Sequence, residues 1–111
     1  MAEKRNVQRL RQRLQVRFQV KGVSATGFTE NLGPGGILIH SNATFAPGSL
    51  VSGTLLATTG AEMKFDAEIR WVRKIAGPLG RVTKSSMGFR FIGAPDEGYF
   101  RLLAQKQSRG A

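Results

Sequence analysis

Basic side chains are concentrated at the N-terminus of this 111-residue chain, whose net charge is +10. Seven of the seventeen lysines and arginines lie in residues 1–21, which contain one acidic residue. Four of its five arginines recur at every fourth position, and a lysine precedes the first of them: Lys4, Arg5, Arg9, Arg13 and Arg17. Such an excess attracts phosphates and acidic surfaces. The segment is therefore either a phosphate-seeking arm or a solvated arm that only aids solubility.

A second segment whose residue types could do chemistry is the glycine-rich stretch "ENLGPGGILIH", residues 30–40. Gly33, Gly35 and Gly36 permit a positive φ or a close approach of the backbone to another group. Their amide groups are not shielded by side chains, so they can donate to an anion or to the edge of a base. Hairpin turns use the same residues, so the stretch taken alone is compatible with a plain turn or with a ligand-binding one.

Catalysis is not supported by the remaining polar residues. The chain has one histidine, His40, and no cysteine, which excludes disulfides, thiolate zinc sites and cysteine nucleophiles. Asp66 and Glu68 share the outward face of one predicted strand with Lys64 and Arg70, a pattern typical of charge pairing between strands. No metal-binding or phosphate-loop pattern is present. We therefore expect no enzymatic activity and no metal or cofactor.

The elements that must position these residues are strands, because apolar residues alternate with polar ones over long stretches. In the clearest cases one side of each strand is apolar: Leu14, Val16, Phe18 and Val20; Met63, Phe65, Ala67, Ile69 and Trp71; Met87, Phe89 and Phe91. Shorter runs at residues 25–29, 36–40 and 50–57 bring the number of strands to six. No helical pattern separates them, so the sequence predicts a six-stranded antiparallel β-barrel. Trp71 is expected to pack in the core or at the barrel rim.

The chain is predicted to be a single domain, residues 1–111, in three parts. Residues 1–12 form a flexible basic arm, residues 13–93 the barrel and residues 95–106 a C-terminal helix. Pro95 is expected in the first turn of that helix, whose apolar side is drawn from Tyr99, Phe100, Leu102 and Leu103. Residues 76–85 are expected to form a long exposed loop. No run long enough to span a membrane and no secretion signal is seen, so we expect a cytoplasmic protein without membrane insertion.

Two stretches together resemble the signatures of the bacterial PilZ domain, a receptor module for the second messenger cyclic di-GMP. In "EKRNVQRLRQRLQVRF", Arg5 and Arg9 have the spacing of the family's paired arginines, with Lys4 where a further arginine is common. Arg9 and Arg13 are the alternative pair. In "NLGPGGILI", Asn31 and Gly36 match the two ends of the second signature, whereas Gly33 stands where the family has serine. The later stretches "AEIRWVRK" and "MGFRFIGAPDEGYFRLL" look like the family's last strands and closing helix.

The resemblance implies a ligand-binding role for these residues. An arginine fork can bond O6 and N7 of guanine, reach a phosphate or stack on a base. Asn31 would accept a hydrogen bond from the other guanine edge, and Gly33 and Gly36 would let the flat ligand approach the backbone. Weaker candidates are Lys4, Arg13 and Trp71, the last by stacking on guanine. The resemblance also implies that closure of the arm transmits the signal to a protein partner of unknown identity.

Two alternatives remain open from the sequence. The domain has the fold but has lost the ligand, since Gly33 lacks the serine hydroxyl and Asn31 lacks a carboxylate's charge. It would then be a protein-interaction adaptor that presents its basic surface or the helix face of Tyr99 and Phe100. Nucleic acid is a less favoured partner: "MGFRFIG" is similar to part of an RNA-recognition strand, but the flanking aromatic residue and the helices of that fold are missing.

Overall fold

A computed structural model describes residues 9–76 and 82–109. It contains seven strands and one helix within these residues: β1 (Leu10–Arg11), β2 (Gln15–Val20), β3 (Val23–Gly33), β4 (Gly36–Ser41), β5 (Leu50–Leu56), β6 (Glu62–Ala76), β7 (Val82–Phe91) and α1 (Glu97–Arg109). Within them, no helix is both long and apolar enough to cross a membrane.

Six of the strands form a closed antiparallel barrel in the order β3, β2, β5, β6, β7, β4, and the pairing of β4 with β3 closes the ring. The prediction of a six-stranded antiparallel barrel with a C-terminal helix is confirmed. The two-residue strand β1 was not predicted as a strand. It lies in the segment expected to be the arm, and it pairs with β3 through Leu10 opposite Leu32 and Arg11 opposite Asn31.

The barrel interior is apolar because the predicted alternation places every second side chain of β2 inside. Leu14, Val16, Phe18 and Val20 are at most 3% exposed. Phe18 packs edge-to-face on Phe89, with ring centroids 5.4 Å apart. Burial of such side chains supplies the main stabilising free energy of a domain this size, about 1.5–3 kcal/mol for each large apolar residue.

Trp71 breaks the alternation of β6, and of the core and barrel-rim positions expected for it, the core position is wrong. Ile69 lies opposite Phe89, but the next paired residue is Trp71, opposite Gly88, so Arg70 is an extra residue in a β-bulge. The bulge shifts the alternation by one residue and turns Trp71 outward, where it is 43% exposed. A similar bulge in β3, between Thr29 and Asn31, has Glu30 as its extra residue.

The C-terminal helix starts later than expected, so Pro95 precedes it. Asp96 holds this approach: its carboxylate accepts from the Lys64 backbone N–H at 2.9 Å, and its own N–H donates to the Lys64 carbonyl. Tyr99 is fully buried and Leu103 is nearly so, whereas Phe100 is 39% exposed. Tyr99 is therefore not available to a partner. The side of the helix that carries Tyr99 lies on the barrel, and Phe100 is the aromatic residue that faces solvent.

Half of the expected exposed loop at residues 76–85 is strand. β6 extends to Ala76 and β7 begins at Val82, and these two residues are paired. Residues 77–81 of the expected loop lie outside the described residues. Arg73 and Lys74, opposite Ser86 and Ser85, continue the same hairpin. The alternation did not predict this extension because Arg73, Lys74 and Ile75 are all exposed, so β6 shows no period of two there.

Candidate functional site

Four outward-facing residues form a row across four neighbouring strands. Asn31 of β3 lies opposite Leu38 of β4, Leu38 lies opposite Gly88 of β7, and Gly88 lies opposite Trp71 of β6. Both ends of the row follow a β-bulge, which re-aims the side chain. The closed barrel thus brings two residues forty positions apart onto one stretch of outer surface.

Arg9 lies beside this row and contacts Asn31. Its Nε donates to the Asn31 Oδ1 at 3.0 Å, and its Nη2 donates to the same oxygen. The guanidinium lies against the backbone of Gly33, where an added Cβ would be 2.9 Å from the Arg9 Cζ. Another group therefore does approach the backbone of Gly33 closely, and in the structure that group is an arginine of the same chain.

The Trp71 indole lies against Gly88 in the same way. A Cβ at Gly88 would be 2.6 Å from the Trp71 Cε2, so only glycine leaves room for the indole on β7. With 43% of its surface exposed, the indole offers a face to solvent. An exposed aromatic face of this kind can stack on a base.

These residues enclose a cavity of about 290 Å³. It is lined by Arg9, Asn31, Ile37, Leu38, Arg70, Trp71, Gly88 and Phe89. The lining combines an indole face, an amide and two guanidinium groups over an apolar floor. Such a combination suits a flat ring with hydrogen-bonding edges that is attached to an anionic group.

A larger cavity of about 770 Å³ lies over other parts of β2, β3, β5 and β6. Its lining is rich in short hydroxyl side chains, including Ser24, Thr26, Ser52 and Thr54. The arginine in it, Arg17, is already bonded to Glu62 at 3.1 Å. This cavity contains none of the predicted site residues, and the smaller one has the chemistry that the sequence indicated.

The other predicted residues are distributed as follows. Arg13 does not line the smaller cavity: its guanidinium stacks on Phe28, 4.1 Å from the ring centroid. Gly36 is fully packed, because a Cβ there would meet the carbonyl group of Phe89. Lys4 and Arg5 lie outside the described residues. Arg9, which the chosen pair and the alternative pair share, lines the smaller cavity.

Arg70 and Gly88 are among the cavity residues that the sequence reasoning missed. Arg70 was assigned to charge pairing, and it does lie 3.8 Å from Glu68, but it also lines the cavity as the extra residue of the bulge. Gly88 was not singled out. Its signal was an isolated glycine between Met87 and Phe89 inside a strand, which often marks a close approach.

Tyr99 supports the site from the interior. Its hydroxyl donates to the Gly33 carbonyl at 2.6 Å, so the helix is tied to the residue on which Arg9 rests. Burial raises the pKa of the Tyr99 phenol well above its ordinary value, and the nearby Arg9 charge offsets part of that rise. The phenol is consequently neutral at physiological pH and acts as a hydrogen-bond donor.

Both ring nitrogens of His40 are hydrogen-bonded to other side chains. Its Nε2 bonds Glu30 at 2.6 Å and its Nδ1 bonds the hydroxyl of Ser86 at 3.0 Å. Ser86 is 2% exposed, so a substrate has no access to that hydroxyl. Within residues 9–76 and 82–109, no three His, Asp or Glu side chains are grouped to hold a metal ion.

Several solved structures share this fold. The PilZ domain of YcgR from Escherichia coli, solved with c-di-GMP, has a TM-score of 0.70 and 14% sequence identity, and the match covers 96% of this chain and 95% of that one. The PilZ domain of CeSA from a cellulose-synthesizing bacterium has a TM-score of 0.58 and 20% identity over 90% and 98% of the two chains.

The third structure is the inhibitor of motility MotI/DgrA from Bacillus subtilis, with a TM-score of 0.69 and 18% identity. The match covers 92% of this chain and 49% of that one, so this chain spans about half the length of the Bacillus protein. No curated protein sequence gives a match. The family model of the PilZ domain matches residues 3–105, nearly the whole chain. The chain belongs to the PilZ domain family.

Proposed function

We propose that this domain is a receptor for cyclic di-GMP that acts as an adaptor toward a protein partner, in the cytoplasm and without enzymatic activity. The observation that carries the proposal is the convergence of Arg9, Asn31 and Trp71 on one outer cavity of about 290 Å³. Two of these residues occupy signature positions of the family. The E. coli neighbour was solved with the same ligand.

Each residue has a chemical role in this proposal. The Arg9 fork bonds O6 and N7 of one guanine or a phosphate oxygen. The Asn31 amide oxygen accepts from the N1 and N2 edge of a guanine, and the Trp71 indole stacks on its ring. Arg70 supplies a second cation in the same cavity. Gly36 keeps the start of β4 tight against β7, which fixes the cavity floor.

The N-terminal segment completes the site. Arg5, with Lys4 beside it, reaches the ligand when the segment before Leu10 closes over the cavity, and this closure changes the surface that a partner protein meets. Because ordering a segment costs free energy, part of the gross interaction with the ligand is offset. Arg13 contributes long-range attraction, since its guanidinium is engaged with Phe28.

Affinity is expected to be modest. Gly33 lacks the family's serine hydroxyl, and the loss of one hydrogen bond costs roughly 1 kcal/mol, or about fivefold in the dissociation constant. Asn31 forms weaker bonds to guanine N–H groups than a carboxylate does.

Isothermal titration with cyclic di-GMP at moderate salt tests the proposal. The wild-type chain should bind saturably, and Arg9→Ala should lose roughly 10- to 100-fold in affinity because hydrogen bonds to charged groups are worth about 1.5–3 kcal/mol. Arg17→Ala is the matched control, since Arg17 has the same four-residue spacing but is paired with Glu62 away from the cavity. An equal loss in both variants would reduce the effect to net charge and contradict the proposed site.

The second candidate function is a PilZ-fold adaptor without nucleotide. It is favoured by the mutual pairing of Arg9 with Asn31, which leaves the proposed acceptor already bonded. The partner surface would then include Phe100, which is 39% exposed on the helix. A titration without heat or saturation favours this adaptor. Strongly salt-dependent binding of unrelated oligonucleotides would instead indicate a nucleic-acid-binding protein.

A further inference from the structure

We infer that Arg9 and Asn31 form a latch that holds β1 on the barrel before any ligand binds, and that Gly33 is the residue that permits it. The inference concerns the same cavity and rests on the proposed function only for its last step, the release of the latch by ligand. The latch itself depends only on contacts within the chain.

The Arg9 side chain has two donors on one acceptor. Nε and Nη2 both donate to the Asn31 Oδ1, across 22 positions of sequence. Arg9 directly precedes β1, which is only two residues long. A strand of two residues has too few hydrogen bonds to persist by itself, so a side-chain contact at its end contributes a large share of what keeps it in place.

The Arg9 guanidinium rests on Gly33. A Cβ at this position would be within 3.0 Å of both Cζ and Cδ of Arg9, so even alanine requires the arginine to move. Gly33 is also held from the other side, because the buried Tyr99 hydroxyl donates to the Gly33 carbonyl at 2.6 Å. Gly33 therefore lies between an arginine from the N-terminal segment and a tyrosine from the C-terminal helix.

Thr29 fastens the opposite end of β1. Its hydroxyl accepts from the Leu14 N–H at 2.8 Å and donates to the Gln12 carbonyl at 2.6 Å. Its backbone N–H donates to the Leu14 carbonyl at 2.8 Å. These bonds bridge the interruption between β1 and β2, and Thr29 is 2% exposed. The short strand is thus held at one end by Thr29 and at the other by the Arg9–Asn31 pair.

The family signature has serine where this chain has Gly33, and the latch gives that departure a physical meaning. A serine side chain would occupy the place of the guanidinium. This chain lacks the serine hydroxyl that would face the ligand, and the Arg9 guanidinium lies in that place instead. When cyclic di-GMP binds, the ligand has to replace Asn31 as the partner of Arg9 and Arg9 as the partner of Asn31.

The test uses nuclear magnetic resonance of the Arg9 Nε–H group in the full ligand-free chain, with the signal assigned through Arg9→Lys. A latched Nε–H should exchange with water up to roughly tenfold more slowly than an unbonded arginine, the most that one net hydrogen bond supports. Gly33→Ala should abolish this protection. Gly35→Ala is the matched control and should retain it, because nothing lies within 4 Å of a Cβ at Gly35.

Unprotected Arg9 Nε–H in the wild type, or equal protection in both alanine variants, would overturn the latch. Amide protection of the β2–β3 pairs, measured in the same samples, verifies that each variant is folded. Cyclic di-GMP is then added to the wild type, where it should change the Arg9 Nε–H chemical shift as the arginine changes partner. A protected Nε–H with no binding contradicts the receptor function and leaves the latch standing; binding with an unprotected Nε–H does the reverse.

Discussion

Gly33 and Gly88 are small at positions where any side chain would displace a functional group. The guanidinium of Arg9 rests on the first and the indole of Trp71 on the second. Neither glycine has a positive φ, so both positions need glycine because it leaves space for the neighbouring group and not because of its backbone conformation. The sequence drew attention to the first of them through its neighbours, whereas the second stood alone in a strand.

Gly88→Ala should weaken cyclic di-GMP binding several-fold with little loss of stability. The new methyl group displaces the Trp71 ring, but the ring is partly exposed and can move away, so the free energy of unfolding should fall by no more than about 1–2 kcal/mol. Calorimetric titration and urea unfolding measure the two effects. An unchanged affinity would show that the indole does not contact the ligand.

Tyr99 gives a prediction for the dependence of stability on pH. Burial raises the pKa of its phenol above the ordinary value of 10.0, with the Arg9 charge opposing the rise. The folded state therefore binds the phenol proton more tightly than the unfolded state. The resulting stability is fully present below pH 10 and is lost as the pH rises from there through the folded-state pKa.

The chain has one tyrosine, so tyrosinate absorbance reports on Tyr99 alone. The folded protein should show no ionisation up to about pH 11, whereas the same chain in urea should titrate near 10. Free energies of unfolding should decline above pH 10, and Tyr99→Phe should remove that decline. Ionisation near pH 10 in the folded protein would mean that the Tyr99 phenol is not buried.

At the level of elements, the sequence predicted the strands whose alternation is uninterrupted and missed what depends on pairing. The apolar side of β2 was read correctly because Val16, Phe18 and Val20 alternate strictly. Trp71 continued the same period in β6, but the bulge at Arg70 turned it outward, and a bulge is defined by two residues opposite one on the neighbouring strand. Sequence periodicity contains no information about that partner.

The helix and β1 show the same limit. Tyr99 and Phe100 are adjacent, so only one of them can face the barrel, and the sequence could not decide which. β1 has two residues and therefore no detectable period. The family signature placed Arg9 and Asn31 in a common site, but their direct hydrogen bond joins residues 22 positions apart, and it follows from the register of β1 on β3.

Thr29 is the residue through which the β1–β2 junction can be tested as an element. Thr29→Val keeps the shape but removes bonds to Leu14 and Gln12, which leaves buried backbone groups without partners and should lower the free energy of unfolding by about 1–3 kcal/mol. Thr26→Val, on the exposed side of the same strand, should change it by less than about 0.5 kcal/mol. Urea unfolding of both variants makes the comparison, and equal stabilities would contradict the role given to the Thr29 hydroxyl.

For the molecule as a whole, closure of the barrel is what assembles the site. Pairing of β3 with β4, β4 with β7 and β7 with β6 sets Asn31 and Trp71 at the two ends of one row. The net charge of +10 adds a long-range attraction for a ligand with two phosphates. The helix contacts the other side of Gly33 through Tyr99, which connects the cavity to the surface that carries Phe100.

Fluorescence of Trp71 during titration with cyclic di-GMP tests the central claim most directly, because it is the only tryptophan and it lines the proposed cavity. We predict saturable quenching in the wild type, a much weaker response in Arg9→Ala and a wild-type response in Arg17→Ala. Unchanged emission at a ligand concentration that saturates calorimetric binding would place the nucleotide elsewhere on the barrel and contradict the site described above.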